Sequence, residues 1–359
     1  MGALSGSEQA RQVPKSLLHD HLDGGLRPST LIELADSIGW RLPDTEPARL
    51  QARCTRGADT KDLLQYLACF EHTLAVMQTE QQIERIAFEA VSDLAADGVV
   101  YAEVRFAPEL HQTSGLPLEK VCRAVTAGFR RGERAAGNTI VVNAILCAMR
   151  TGQRSLEIAQ LVDRLREIDD KIVAFDLAGA ETGWPPSLHA AALRFARQRH
   201  LNVTIHASEP PDLELISEAL TYGAHRIGHG VRLQADTRRN RAGELELGPL
   251  ARHILDHQIP LEMAPTCHVH VGAVASLDRH PIGPFLRHGF NVSVNTDNRL
   301  MSNVMPSSEL LAVSDTFALT WGEIEQLVVN GVMSGFAPIE QRRSLVAQHV
   351  RPWFERLGV

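Results

Sequence analysis

The sequence predicts an α/β fold, a (β/α)8 TIM barrel with extra helices inserted after strand 1. Short apolar runs rich in β-branched residues recur eight times along the 359 residues. The segments between them carry the apolar spacing of amphipathic helices, as over residues 83–94. Strand–helix alternation predicts a parallel sheet, and eight such units predict a closed barrel. An open doubly wound sheet is the alternative, and it is weakened because no strand precedes a G-x-G-x-x-G or Walker A loop.

The first candidate strand is the apolar run around His19 and His21. The other seven are residues 99–106, 139–146, 172–177, 202–206, 226–229, 259–263 and 290–296. A chain of this length can form two domains of average size or one large barrel. Because no linker or low-complexity stretch divides the chain, we expect residues 14–359 to form a single barrel domain. Residues 1–13 are polar, and we expect them to form a flexible N-terminal tail.

The first connection between strands, about residues 26–98, is longer than a standard βα unit requires. We therefore expect extra helices there, among them lid helices at about residues 55–80. One apolar helical face in this stretch consists of Leu63, Leu64, Tyr66, Leu67 and Phe70. This face fits either core packing beneath the loop or a lid over the barrel mouth, where the sites of such barrels lie.

Composition excludes several classes of protein. A net charge of −7 without a basic stripe argues against nucleic acid or an anionic membrane as the main partner. The five cysteines are scattered and form no C-x-x-C pair, so a disulfide framework or a structural zinc ribbon is not expected. No signal-peptide pattern and no apolar run of membrane-spanning length is present. These features predict a cytoplasmic protein.

The chemistry begins with His19 and His21, which are two residues apart in the first strand. Residues i and i+2 of a strand point to the same face, so both imidazoles aim at one spot. Other ionisable side chains end or closely follow later candidate strands: His206, Glu209, His229 and Asp297. In a barrel the carboxyl ends of all strands open onto one face, so these groups are expected to converge.

Nitrogen-rich ligation with one carboxylate suits a borderline divalent ion, and zinc is the first choice. Three histidines and one aspartate leave a position open for water, as in catalytic sites, and zinc lowers the pKa of such a water to roughly 7. Glu209 is then a candidate general acid or base, and His229 a candidate to orient hydroxide or stabilise developing charge. The pattern predicts metal-assisted hydrolysis with one Zn²⁺ per chain.

Five segments resemble the adenosine deaminase family of the metal-dependent amidohydrolase superfamily. They are Pro14-Lys15 with Leu18-His19-Asp20-His21-Leu22-Asp23-Gly24, then Asp176-Leu177-Ala178-Gly179-Ala180-Glu181, His206-Ala207-Ser208-Glu209, Arg226-Ile227-Gly228-His229-Gly230 and Thr296-Asp297-Asn298. The resemblance runs in order and spacing from about residue 14 to the C-terminus. It implies a zinc-dependent hydrolytic deaminase that converts adenosine, and 2′-deoxyadenosine, to the 6-oxopurine nucleoside and ammonia.

The resemblance also implies a role for each matching residue. The zinc ligands would be His19, His21, His206 and Asp297. Glu209 would protonate purine N1 while zinc hydroxide adds to C6, and His229 would position and deprotonate that water. The substrate-binding residues would be Asp23 at the ribose 5′-hydroxyl, Gly179 at N3, Asn298 at N7, and the hydrophobic lid of Leu63, Tyr66, Leu67 and Phe70. Asp23 can equally be a turn residue beside its two following glycines.

Three positions depart from the family pattern. Ser208 stands where a glycine is usual, and its side chain argues against a glycine-only backbone conformation. Asn298 replaces an aspartate, and its amide can make the same bond to N7 as a donor. Residues 265–270, Pro-Thr-Cys-His-Val-His, replace the usual Ser/Thr and Asn. His268 and His270 are expected to be pocket-rim or loop histidines rather than a second metal site.

The departures leave other functions open. The substrate could be another 6-aminopurine, such as a modified or antibiotic nucleoside, 6-aminodeoxyfutalosine or adenine. A non-catalytic nucleoside-binding or growth-factor-like protein is a second possibility, and retention of every ligand together with Glu209 and His229 argues against it. Deamination of bases in nucleic acid is disfavoured because the H-x-E…P-C-x-x-C signature is absent.

Overall fold

Eight parallel strands form a nearly closed barrel in the computed structural model, which describes residues 4–240 and 245–358. The barrel strands are β1 (Lys15–His21), β2 (Val99–Phe106), β3 (Val141–Met149), β4 (Ile172–Ala178), β5 (Asn202–Ala207), β6 (Arg226–His229), β9 (Leu261–Met263) and β10 (Val292–Val294). Each strand pairs in parallel with its neighbour, in the order just given. A separate antiparallel hairpin joins β7 (Thr237–Arg239) to β8 (Leu245–Leu247). The predicted (β/α)8 barrel is confirmed.

The barrel closes between β1 and the segment that follows β10. Asp20 forms a parallel bridge with Asp297. The main-chain N–H of His21 donates to the carbonyl of Asp297 at 2.7 Å, and the N–H of Asp297 donates to the carbonyl of His19 at 2.9 Å. This closure brings the first and the last predicted metal ligands side by side, although almost the whole chain separates them.

Helices surround the barrel, and the first connection holds several of them, as predicted. The helices are α1 (Gly6–Gln12), α2 (Pro28–Ile38), α3 (Pro47–Ala58), α4 (Leu63–Ala68), α5 (Glu71–Ala75), α6 (Glu80–Ala96), α7 (Leu118–Ala135), α8 (Ser155–Arg166), α9 (Ala190–Gln198), α10 (Glu214–Thr221), α11 (Pro249–Asp256), α12 (Pro265–His270), α13 (Ile282–His288), α14 (Arg299–Ser302), α15 (Pro306–Phe317), α16 (Trp321–Ser334), α17 (Ile339–Leu345) and α18 (Arg351–Glu355). Helices α2 to α5 are additional to the crossover helix α6. In the two described ranges, no helix has both the length and the apolar character of a membrane span.

Residues 4–13 differ from the flexible tail predicted over residues 1–13, of which residues 1–3 lie outside the described ranges. Residues 6–12 form α1, and Leu4, Ala10 and Val13 are buried. The buried ammonium of Lys15 donates to main-chain carbonyls at the end of this helix, including that of Ala10 at 2.6 Å. The buried apolar side chains and the hydrogen bonds from Lys15 hold this segment against the barrel, although its average composition is polar.

Candidate active site

The four predicted metal ligands meet at the mouth of the barrel. Nε2 of His19 lies 3.2 Å from Oδ1 of Asp297, and Nε2 of His21 lies 3.4 Å from the same oxygen. Nε2 of His21 is also 3.1 Å from Nε2 of His206. All four side chains are buried or nearly so, because β1 and β5 project them inward and the barrel closure carries Asp297 to them.

The far nitrogen of two of these histidines faces a carboxylate. Nδ1 of His19 lies 2.9 Å from Oε2 of Glu262, and Nδ1 of His206 lies 3.1 Å from Oδ2 of Asp176. A carboxylate accepts a hydrogen bond from Nδ1–H, which leaves the lone pair of Nε2 directed at the centre of the site. Burial lowers the pKa of both imidazoles well below the usual value, with nearby positive charges adding to the effect. Both rings are therefore neutral, as metal ligation requires.

Fully buried arginines hold the two carboxylates in place. Arg105 donates to Glu262 at 2.6 Å and to Asp176 at 2.8 Å. Burial alone would raise the pKa of Glu262, but Arg105 and Arg226 lower it below its usual value. The barrel interior thus holds fixed negative charges beneath the imidazole ligands.

These donors fit a zinc ion. Nε2 of His19 is buried and has no hydrogen-bond partner among the described residues. Donor atoms of His19, His206 and Asp297 lie within 4.8 Å of one another, in a group that also includes His229, and Nε2 of His21 joins them through His206 and Asp297. Imidazole nitrogens with one carboxylate oxygen form the donor set that zinc prefers at catalytic sites.

Glu209 faces the same centre from the loop after β5. Its main-chain N–H and that of Ser208 donate to the buried carboxylate of Glu181, at 3.3 and 2.8 Å, which fixes the turn. Burial raises the pKa of Glu209 well above its usual value, and the charges of Asp297 and Glu181 raise it further. A raised pKa favours the neutral carboxyl group, which is the form that can donate a proton. Its Oε2 lies 3.9 Å from Nε2 of His229.

A cavity of about 220 Å³ opens above this centre. Its walls include every predicted site residue except His19, which lies beneath: His21, Asp23, Leu63, Tyr66, Leu67, Phe70, Gly179, His206, Glu209, His229, Asp297 and Asn298. Leu63, Tyr66 and Leu67 of α4 and the following Phe70 form its apolar side, whereas Leu64 of the predicted face is exposed. The Tyr66 hydroxyl is 3.1 Å from that of Ser302. Burial raises the pKa of Asp23 to about 7, and its Oδ1 has no partner among the described residues. The cavity is therefore apolar on the lid side and polar at its base.

Two expectations were wrong. Ser208 adopts the left-handed conformation, with φ of 62°, despite its side chain, and its hydroxyl donates to the carbonyl of Asp212. His268 does not lie at the pocket rim: it is fully buried behind His229, and its Nε2 is 3.0 Å from Nδ1 of that residue. His268 and His270 belong to α12, where residues i and i+2 do not share a face, so the two rings do not converge.

Three residues of the site were given no role from the sequence: Asp176 and Glu262 beneath the ligands, and His280 behind His268. A charged residue inside a buried strand, as in Phe175-Asp176-Leu177 and Leu261-Glu262-Met263, is a signal that could have indicated the first two. His280 lies in a loop after α12 and carries no such signal.

Comparison with known proteins agrees with this geometry. Residues 14–351 match the family model described as adenosine deaminase. An adenosine deaminase of Mycobacterium leprae is 45% identical over 352 residues, 97% of each chain. Another, from Mycobacterium sp. strain KMS, is 46% identical over 356 residues, 98% of each chain. The crystal structure of an adenine deaminase from Arthrobacter aurescens superposes with a TM-score of 0.82 at 26% identity, covering 96% of this chain and 99% of that one.

Proposed function

Because the chain belongs to the adenosine deaminase family and is thus a hydrolytic deaminase, we propose that it converts adenosine, and 2′-deoxyadenosine, to the 6-oxopurine nucleoside and ammonia with one zinc ion per chain. The observation that carries this proposal is the convergence of buried Glu209 with four candidate zinc-ligand side chains at the base of one cavity. The ligands are His19, His21, His206 and Asp297. When bound, zinc supplies a Lewis acid that makes water nucleophilic at neutral pH.

Glu209 acts as the general acid. It donates its proton to ring nitrogen N1, which makes C6 electrophilic at the moment that the oxygen of water adds there. The Glu209 carboxylate left by that transfer takes a proton from the added water and passes it to N6, so that the C6–N6 bond breaks and ammonia leaves. The remaining hydroxyl proton returns to Glu209 as the C6=O bond forms. His229 lies close to Glu209 on the same side of the cavity and orients the attacking water.

The other cavity residues bind the nucleoside. Gly179 has φ of 95° and presents its N–H towards purine N3, and Asn298 contacts N7. Oδ1 of Asp23 has no partner among the described residues, and it accepts a hydrogen bond from the ribose 5′-hydroxyl. The apolar side chains of α4 cover the base and exclude water. A purine buried in this way has its N1 and C6 edge at the polar floor.

The test is steady-state release of ammonia from adenosine by zinc-replete protein. Glu209→Gln keeps the volume of the side chain and removes the acidic proton, so kcat is expected to fall by roughly 10²–10⁴-fold while zinc content is unchanged. The matched control is Glu309→Gln, another buried carboxyl that lies outside the cavity lining. No turnover of adenosine, 2′-deoxyadenosine or adenine by the wild type would refute the proposed function. Equal activity of Glu209→Gln would refute the proposed acid.

Adenine is the second candidate substrate, because the structurally similar Arthrobacter protein is an adenine deaminase. The two substrates differ by the ribose that Asp23 is proposed to bind. Asp23→Ala should therefore lower kcat/KM for adenosine and leave that for adenine unchanged. A wild-type preference for adenine, with no effect of Asp23→Ala on either substrate, would favour the second candidate.

A further inference from the structure

His229 is the first member of a chain of three buried histidines that leads away from the cavity. Its Nδ1 lies 3.0 Å from Nε2 of His268. Nδ1 of His268 lies 2.8 Å from Nε2 of His280. Each of the three rings is at most 1% exposed. The chain therefore runs through the protein interior, from the candidate active site to the start of α13.

The far end of the chain has a defined donor. The main-chain N–H of Ile282 donates to Nδ1 of His280 at 3.1 Å. A main-chain amide is always a donor, so Nδ1 of a neutral His280 carries no proton and its Nε2 does. That Nε2–H donates to His268, whose own proton then lies on Nε2 and is donated to His229. The hydrogen bonds therefore give all three rings the same tautomer, with the proton on Nε2.

We propose that His268 and His280 are positioning residues that set His229 as the Nε2–H tautomer, so that His229 donates a hydrogen bond into the active site in the resting enzyme. This inference rests on the proposed function, and it sharpens the role of His229 within it. With its proton on Nε2, His229 orients the attacking oxygen and stabilises charge that develops there. It is not the base that removes the first proton from water, which is the role that the family resemblance implied.

The reverse orientation is disfavoured by the structure. It would place a proton on Nδ1 of His280, directly against the N–H of Ile282. Two donors would then face each other in a buried position, and the amide would lose its partner. Burial lowers the pKa of His280 to about 3, so the ring is neutral and carries a proton on only one of its two nitrogens. Burial and the charges of His280, His229 and Arg232 also hold the pKa of His268 well below its usual value.

Neutron diffraction from the deuterated protein tests the tautomers directly, since it locates deuterium on each ring nitrogen. The expected result is deuterium on Nε2 and none on Nδ1 of His280, His268 and His229. Deuterium on Nδ1 of His229 would overturn the proposal. This measurement needs no substrate, so it is independent of whether adenosine is the substrate.

Paired variants test the functional consequence. Gln at position 268 or 280 keeps an N–H donor near the Nε2 position, whereas Leu removes it. We expect His268→Leu and His280→Leu to lower kcat by roughly 10- to 100-fold with KM nearly unchanged, the scale of losing a hydrogen-bond partner behind an active-site histidine. His268→Gln and His280→Gln should stay within about threefold of wild type, because they still donate.

The variants also separate positioning from packing. Zinc content and the midpoint of thermal unfolding are measured for all four proteins. Equal losses in the Leu and Gln variants, or no loss in either Leu variant, would overturn the proposal. A wild type that lacks adenosine deaminase activity but shows the expected deuterium pattern would refute the proposed function and leave the tautomer assignment intact.

Discussion

Glu262 is the interior carboxylate on which the metal site and the barrel both depend. Its side chain is fully buried on β9. Oε2 accepts from Arg105 at 2.6 Å and lies 2.9 Å from Nδ1 of His19. Oε1 accepts from Nε of Arg226 at 2.6 Å and from the hydroxyl of Thr204 at 3.0 Å. Four donors therefore converge on one carboxylate, two of them from arginine.

Glu262→Gln should be strongly destabilising even though it preserves shape. Either orientation of the new amide sets an NH2 group against an arginine N–H, so one charged hydrogen bond is lost and two donors face each other. Such a bond contributes about 1.5–3 kcal/mol, and removing one partner of a buried ion pair costs about 3–5 kcal/mol. We expect the free energy of unfolding to fall by ~3–5 kcal/mol.

The same substitution should weaken metal binding. When the amide points at His19, it donates to Nδ1 and moves the imidazole proton to Nε2, where it blocks the lone pair. Loss of such a support for a ligand lowers metal affinity by about 10–100-fold. Zinc affinity is measured by competition with a coloured chelator, and stability by urea unfolding of the zinc-free protein.

The matched control is again Glu309→Gln. Glu309 is as buried as Glu262, but it accepts from the main-chain N–H of Thr266, at 3.2 Å, and has no arginine partner among the described residues. Burial raises its pKa to about 7. A carboxyl that is already partly protonated should tolerate an amide at a cost below ~1 kcal/mol. If Glu262→Gln and Glu309→Gln had the same small effect on stability and on zinc affinity, the reasoning from converging donors would be wrong.

Three further predictions concern other parts of the chain. Burial lowers the pKa of His111 to about 4, so the stability that depends on its neutral ring should be fully present above pH 6.5. The free energy of unfolding should fall by ~2 kcal/mol between pH 7.5 and pH 5, and urea unfolding at these two pH values should show a smaller fall in His111→Leu. Gly24→Ala would place a Cβ on the side chain of Asn298, so KM for adenosine should rise roughly tenfold in steady-state assays with zinc content unchanged. Lys15→Met removes an ammonium that donates to three carbonyls at the end of α1, and thermal or urea unfolding should show a loss of ~2–3 kcal/mol.

Much of the fold followed from periodicity because the barrel strands are buried on both faces. Residues 99–106 were predicted as a strand and form β2 with the same limits. The last two barrel strands are shorter than predicted: β9 starts at Leu261 instead of residue 259, and β10 spans only Val292–Val294 of the predicted 290–296. The stretch at residues 6–12 was misjudged because average polarity conceals a few well-placed apolar side chains.

The site was predictable where function demands an unusual residue at a strand end. His19, His21, His206, Glu209, His229 and Asp297 all stood out for that reason, and the structure brings them together. The left-handed backbone of Ser208 was not predictable, because a side chain makes that conformation costly but does not forbid it. Hydrogen bonds from Ser208 to Glu181 and Asp212 offset the steric cost. The partner of His268 was not predictable either, since loop geometry alone decides which ring His280 meets.

The partner of each Nδ1 explains how similar histidines take different roles. Nδ1 of His19 and of His206 faces a carboxylate, so the proton stays on Nδ1 and the Nε2 lone pair can bind metal. Nδ1 of His229 faces His268 instead, and with the tautomers proposed above its proton lies on Nε2, so that no lone pair points into the site. Distance alone groups His229 with His19, His206 and Asp297. In the proposal above, hydrogen bonding behind the rings separates His229 from them and makes it a donor to the reacting oxygen rather than a ligand of the metal.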